Sequence, residues 1–290
     1  MLYMKTLRDY INESSKNKTA IGHFNFATAE MLRGIVEAAK EANTPVIVGL
    51  SEGERNFFGV KEARAIVSAY RDDFGIPIFL NADHTKSFER AKEAIDAGFD
   101  AIVADGSALP FAENVEMIKK IISYSRETGK NIVVEGELGF IGTSSEVLEN
   151  LPPGVAVDEL NMTPPSEAEK FVRETGVDML APSVGNVHGI IKSGNPVISI
   201  KRIEDIKLSI GGVPLVLHGA SGIPDGDVAM VAKAGVVIVH FSTEIRVAFH
   251  QALISSLSEN HDEISPYKYL RGGVNAVREI VKKKISLFKV

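Results

Sequence analysis

Five of the seven histidines stand at or just past the ends of short apolar runs: His23 in IGHF, His84 in IPIFLNADH, His188 in DMLAPSVGNVH, His218 in VPLVLH and His240 in GVVIVH. Imidazoles gathered at strand ends could move protons or ligate a metal, and three of them beside a carboxylate suit a catalytic zinc site with one open position. Carboxylates are close at hand. Asp83 adjoins His84, Asp105 follows AIVA, and Glu135 and Glu137 lie two residues apart on one face of a strand. Glu135 or Glu137 could ligate a metal or support a ligand histidine from behind. Solvated or helix-capping roles compete for Asp83, His84, Asp105 and Glu137.

Two further runs put a histidine beside glycines, Gly185-Asn186-Val187-His188-Gly189 and His218-Gly219-Ala220-Ser221-Gly222. Glycine lets backbone N–H groups approach an anion closely, and Ser221 and Lys192 could add a hydroxyl and a cation to the same phosphate. Ser242-Thr243 opens a helical stretch whose N–H groups suit a phosphate, or else simply caps it.

These groups need a scaffold that brings strand ends together. Apolar runs at 20–24, 45–50, 77–80, 101–104, 131–135, 179–181, 214–217 and 236–241 predict eight strands. Helical periodicity intervenes at 28–41, 60–71, 87–97, 113–128, 166–175, 225–233 and 244–257. Thr28 and Ser87 read as N-caps and Ser166 with Glu169 as a capping box, while Gly98, Gly129, Gly176 and Gly235 read as helix stops. Strand–helix units repeating about every 30 residues predict a single-domain (β/α)8 TIM barrel over 1–290, which places its chemistry at the C-terminal ends of the strands. The irregular segment 139–165, with proline pairs at 152–153 and 164–165, is too long for an ordinary connection and reads as a functional loop.

The 290 residues are 44% hydrophobic and carry a net charge of −6, which gives no electrostatic reason to expect nucleic acid or a membrane surface. Zero cysteines exclude disulfides and thiolate catalysis. The charged N-terminus lacks a signal core, and no run reaches the roughly 20 apolar residues of a spanning helix. A cytoplasmic location is expected.

The chain resembles the class II, metal-dependent fructose-bisphosphate and tagatose-bisphosphate aldolases. The resemblance runs through Phe24-Asn25, Ser51-Glu52-Gly53, Asp83-His84, DGSALPF (105–111), Glu135 to Gly139, Gly185 to Gly189, LVLHGASGIPD (215–225), STEIRVAF and the closing VREIVKKKISLF. It implies that His84, His188 and His218 hold a catalytic Zn2+, with Glu135 and Asp105 as acidic positions at the metal. It implies Asp83 as the proton donor and acceptor, and Asn25 and Ser51 as substrate contacts. Gly189, Lys192, Gly219, Ser221 and Thr243 resemble a cradle for the phosphate of dihydroxyacetone phosphate, with a monovalent cation nearby. A sugar phosphate is the implied substrate and a homodimer or higher homo-oligomer the implied assembly.

Departures bear on the substrate. The family's HLDHG reads Asn81-Ala82-Asp83-His84-Thr85, and its N-I-[ND]-T reads His240-Phe241-Ser242-Thr243, so His240 and Ser242 stand where substrate hydroxyls are expected. Ser145 occupies the position of a family Glu implicated in protonating the enediol, with Glu146 one residue away as a substitute. Tyr267 replaces an Arg of the pattern DPRKYL, leaving Lys268 or Arg271 to compensate. His23 and His240, ending neighbouring strands of a closed barrel, are expected to pair beside the substrate. Fructose 1,6-bisphosphate cleavage is the leading expectation. Tagatose 1,6-bisphosphate, a ketose 1-phosphate with an unphosphorylated aldehyde half, a non-catalytic aldolase-like subunit and a zinc hydrolase are the alternatives.

Overall fold

The computed structural model describes residues 5–142, 145–155 and 157–288. Its first third contains α1 (Leu7–Asn17), β1 (Ile21–Asn25), α2 (Ala29–Ala42), β2 (Val46–Leu50), α3 (Glu52–Phe58), α4 (Val60–Phe74) and β3 (Ile78–Thr85). Next come α5 (Phe88–Ala97), β4 (Ala101–Ala104), α6 (Phe111–Glu127), β5 (Val133–Leu138), β6 (Val147–Leu148), α7 (Pro165–Thr175) and β7 (Met179–Pro182). The remainder is β8 (Ile190–Ile191), α8 (Ile200–Ser209), β9 (Leu215–Leu217), α9 (Asp225–Ala234), β10 (Val236–Phe241), α10 (Thr243–Glu259), α11 (Pro266–Tyr269) and α12 (Arg271–Ser286).

Eight strands close in the order β1-β10-β9-β7-β5-β4-β3-β2, all parallel, so the expected (β/α)8 barrel is the fold. β3 and β5 run further than their apolar stretches suggest, to Thr85 and Leu138. Polar inward residues continue their alternation, and a hydrophobicity pattern cannot see that. Leu7 and Ile11 of α1 pack with the inward residues Ile21, Ile47, Phe79, Val133, Met179 and Val216, closing the N-terminal end. α12 packs on α2 and α10.

The helix signals hold at Thr28, Ser87 and three of the four glycines, while Gly129, at φ 66°, stands one residue past the right-handed C-cap Thr128 of α6. Thr28 and Ser87 accept from Met31 and Arg90 N–H, and Gly98, Gly176 and Gly235 are left-handed C-caps. Ser166 does not cap α7. That helix begins one residue earlier at Pro165, so its N-cap position is Pro164, which has no side-chain oxygen to accept from the first-turn N–H groups. Within the long segment 139–165, β6 pairs with β8 through Val147–Ile190 and Leu148–Ile191, strapping it to the chain beyond His188. No described helix is long and apolar enough to cross a membrane.

Candidate active site

Successive strand residues point to opposite faces, so Asp83 and His84 can both face the mouth only if β3 is interrupted between them. It is. The register with β4 shifts between Ala82 and Thr85, and His84 has a φ of 42°, in the left-handed region that a histidine seldom occupies. Arg55 of α3 holds this kink. Its guanidinium, only 1% exposed, donates to Leu50 O (2.7 Å), Asp83 O (3.1 Å) and Thr85 Oγ1 (3.2 Å). Burial pulls its pKa down to about 10, so it stays charged at neutral pH.

His84, His188 and His218 each aim a ring nitrogen into one space, with those atoms within 4.8 Å of one another. His84 Nε2 is 3.3 Å from His218 Nδ1, and the three rings meet edge to face at 73–86°. In-plane lone pairs of rings so arranged converge on a point. His23 with Asp83 and His240, and Glu135 with His218 and His240, also bring donors together. Their rings, however, stack nearly flat, His23 on His240 at 3.6 Å and 10° and His218 on His240 at 4.0 Å and 20°, so their in-plane lone pairs lie in separate, nearly parallel planes. A fourth set, His84 with Asp105 and Glu137, puts both carboxylates on the far nitrogen of His84, so of the four the first is the one shaped for an ion.

Glu135 and Asp105, expected at the metal, stand behind the ring nitrogens instead. Asp105 Oδ2 lies 3.0 Å and Glu137 Oε2 3.2 Å from His84 Nδ1, and Glu135 Oε1 lies 2.6 Å from His218 Nε2. Such carboxylates fix the tautomer and aim of the opposite nitrogen. The local field favours positive charge. Burial opposes protonation of His84, but Asp83, Glu137 and Asp105 outweigh it and hold its pKa well above the usual imidazole value. Burial and the neighbouring His84 and His218 push His188 well below that value, and its Nε2 is buried without a hydrogen-bond partner. A neutral imidazole with an orphaned nitrogen, two more converging nitrogens and a ring of carboxylates fit a divalent cation.

Asp83 is clamped next to this space. Its Oδ2 accepts from Asn25 Nδ2 at 2.9 Å, while Oδ1 faces His240 Nδ1 at 3.4 Å and has no hydrogen bond. Burial would raise its pKa, yet His84, His240 and His23 hold it well below the usual carboxylate range. Asn25 also donates to Glu54 Oε2 (3.1 Å), which takes Ser51 N–H as well (2.7 Å), and Glu54 Oε1 receives Arg246 (2.6 Å). The expected His23–His240 pair exists, with His23 beneath Asn81 (3.0 Å). Its ring lies where a side chain on Gly49 would stand, since a Cβ there would be 2.2 Å from His23 Nε2.

Two connected cavities open beside the histidines. The inner one is lined by Gly189, Gly219, Ser221, His240, Ser242 and Thr243, together with Asn25, Asp83, His84, Ser145 and His188. The glycine loops pack tightly there, and a Cβ on Gly219 would fall 2.3 Å from Val187 O. The outer cleft, about 340 Å³, adds Ser51, Asp105, Ser107, Lys86 and Arg246.

His218, Glu135, Glu137 and His23 are buried behind the lining of both cavities, whereas three other residues singled out by the sequence stand exposed outside them. Lys192 is exposed and ion-paired to Glu149. Glu146 is exposed and meets Ile190 only through its carbonyl, while Ser145 faces the site. The strap pairing turns Glu146 outward, so its expected catalytic role is not met in this arrangement. Tyr267 is 76% exposed on α11 and lines neither cavity. Thr143 and Ser144 lie outside the described residues. Sequence reasoning missed Arg55, Glu54, Lys86 and Arg246. Glu54 did leave a signal, standing three residues after Ser51 in a capping box.

Kinked β3, converging imidazoles and an adjoining pair of cavities define a (β/α)8 enzyme fitted for a metal ion and a small polar substrate. Comparison with known proteins gives the narrower class. The family model described as Fructose-bisphosphate aldolase class-II matches residues 5–290. A fructose-bisphosphate aldolase of Staphylococcus aureus is 36% identical over 286 residues, covering 98% of this chain and 96% of its own length. A 6-phospho-5-dehydro-2-deoxy-D-gluconate aldolase of Bacillus licheniformis is also 36% identical, over 98% of this chain and 94% of its own. The crystal structure of the YdjI aldolase from Escherichia coli K12 superposes with a TM-score of 0.81 at 30% identity, covering 97% of this chain and 96% of that one. The chain belongs to the class-II fructose-bisphosphate aldolase family and is a carbon–carbon lyase.

Proposed function

We propose that this protein reversibly cleaves fructose 1,6-bisphosphate to dihydroxyacetone phosphate and glyceraldehyde 3-phosphate, with one zinc ion held by His84, His188 and His218. The observation that carries this reading is the placement of Asp83 Oδ1, buried and without a hydrogen bond, beside His84 in the lining that both cavities share. Asp105, Glu137 and Glu135 keep the imidazoles aimed. A zinc ion there supplies Lewis-acid stabilisation of the negative charge that carbon–carbon cleavage leaves on the ketone half.

Asp83 does the proton work. Oδ1 takes the C4 hydroxyl proton as the C3–C4 bond breaks and the C4–O bond becomes a carbonyl, and it returns that proton in the condensation direction. Asn25 on Oδ2 fixes which oxygen is free, and Glu54 and Ser51 fix Asn25. The inner cavity, with Gly189, Gly219, Ser221, Ser242 and Thr243, takes the phosphate of the ketone half, with a monovalent cation beside it. Lys192 joins that cradle by exchanging Glu149 for the phosphate. Lys86 and Arg246 in the outer cleft suit a second phosphate on the aldehyde half, a task Tyr267 cannot perform from its exposed position.

The equal identity of a relative named for a deoxygluconate phosphate favours a second reading, another phosphorylated substrate cleaved by the same machinery. In both readings residues 1–290 act as one catalytic domain in the cytoplasm, as a homodimer or higher homo-oligomer. Retention of Asp83 with all three imidazoles argues against a non-catalytic subunit, and the glycine cradle against a zinc hydrolase. The test is coupled cleavage of fructose 1,6-bisphosphate with and without EDTA, followed by added zinc. Turnover abolished by chelation and restored by zinc supports the proposal. Zinc-loaded protein that cleaves other sugar phosphates but not this one replaces the substrate, and protein that cleaves none overturns the reading.

A further inference from the structure

The glycine loop beyond β9 is held from behind by charges that lead to the last helix. Gly222 N–H donates to Glu244 Oε1 at 2.7 Å, and Glu244 N–H donates to Ser221 Oγ at 3.2 Å. The other Glu244 oxygen, Oε2, lies 2.9 Å from Lys284 Nζ. Lys284 belongs to α12 and is 3% exposed. It also reaches Asp225 Oδ1 at 3.1 Å and lies 5.2 Å over the Phe241 ring.

Glu244 follows Thr243 directly, and Ser221 and Thr243 both line the inner cavity. A part-buried carboxylate this close repels a phosphate dianion, because screening is weak away from solvent. Yet the loop needs an acceptor for Gly222 N–H, and the carboxylate is that acceptor. Lys284 reconciles the two demands by cancelling the charge while leaving the hydrogen bond intact. A lysine is rarely buried unless such partners hold it. The neighbouring Lys282 and Lys283 are about half exposed and pair at the surface, so position 284 is singled out within its run.

We propose that Lys284 is a positioning residue for phosphate binding, neutralising Glu244 so that the Ser221–Gly222 loop can accept a phosphate dianion. This rests on reading the inner cavity as a phosphate subsite. The test uses inorganic phosphate as the probe, measured both by calorimetry and as a competitive inhibitor of the zinc-loaded, full-length enzyme. Lys284→Met is expected to weaken phosphate binding about ten-fold and raise KM in parallel, with kcat within about three-fold. Lys284→Arg should stay within about three-fold of wild type. The double variant Lys284→Met/Glu244→Gln should regain most of the lost affinity.

Glu244→Gln alone needs no folding of the methionine variant. It keeps an oxygen for Gly222 N–H and should bind phosphate as tightly as wild type or more tightly. Unchanged affinity in Lys284→Met, a loss that Glu244→Gln does not restore, or weaker binding in Glu244→Gln alone would each overturn the proposal. Wild-type enzyme that turns over but shows no competition by phosphate would overturn the phosphate reading of the cavity, and the role of Lys284 with it.

Discussion

At the end of the barrel where α1 packs, the interior is filled by Ile21, Ile47, Phe79, Ala101, Val133, Met179 and Val216. Two residues further along the same strands stand His23, Gly49, Asn81, Val103, Glu135, Ala181 and His218, and two further again Asn25, Ser51, Asp83, Asp105, Glu137, Ser183 and Ala220. The strand period of two carries one wall from oil to ions within about 7 Å per step of two residues. Burying an isoleucine or phenylalanine stabilises by about 1.5–3 kcal/mol, whereas burying an unpaired polar group costs a comparable amount. His23 Nδ1, Asn81 Oδ1, Asp83 Oδ1 and His188 Nε2 are all buried without a hydrogen bond, and all lie on the mouth side. One end therefore holds the barrel closed, and the other uses that rigidity to keep poorly satisfied groups in place for chemistry.

Substitutions at the two ends should separate activity from stability. His84→Ala is expected to abolish stoichiometric metal binding and lower cleavage about 10⁴-fold or more, read by metal analysis and a coupled assay. Asp83→Asn should keep the metal and lose roughly 10²–10⁴-fold in kcat. A variant at position 83 with normal kcat would remove Asp83 from the mechanism. Ile11→Ala in α1 should do the reverse, costing about 2–5 kcal/mol in urea unfolding with kcat and KM near wild type. If Ile11→Ala instead disabled catalysis at unchanged stability, the division between the ends would fail.

His23 sharpens the contrast because it is a mouth residue whose cost can be read in the fold. Burial pulls its pKa from the ordinary imidazole value down to about 4, so the folded protein keeps it neutral while the unfolded chain protonates first. Stability should therefore be full above about pH 6.5 and fall as pH drops from there toward 4, by up to about 1.4 kcal/mol per pH unit for this one group. His23→Phe keeps a flat ring against His240 and removes the proton. Unfolding of the metal-free variant between pH 7 and 4 should show a shallower decline than wild type. An unchanged slope would mean that His23 is not the group that titrates.

The expected strands, the barrel and the five strand-end histidines were legible because inward alternation and glycine stops are local signals. Asp83-His84 was legible as a pair, but the kink that aims both was not, since it depends on Arg55 reaching across from α3. In SEGERNFF nothing distinguishes a buried arginine from a surface one. Lys284 hides equally well in VKKKIS, where a run of lysines suggests a solvated face. The Ser166 capping box failed because the preceding Pro165 already supplied a helix start. Roles for Glu146 and Lys192 depend on how the segment 139–165 meets the loop after His188, and that pairing is set by two residues on each side.

That strap offers the finest test. Lys192 and Glu149 are 56% and 73% exposed in their side chains, so their ion pair contributes no more than about 1 kcal/mol. If phosphate binding draws Lys192 away from Glu149, the pair opposes binding by the same small amount. Glu149→Gln should then lower KM for the phosphorylated substrate by no more than about five-fold, with kcat unchanged and the effect shrinking as salt is added. A rise in KM would mean that Glu149 holds Lys192 where the substrate needs it. The exposed strap would then share the work of a mouth whose other polar groups are buried.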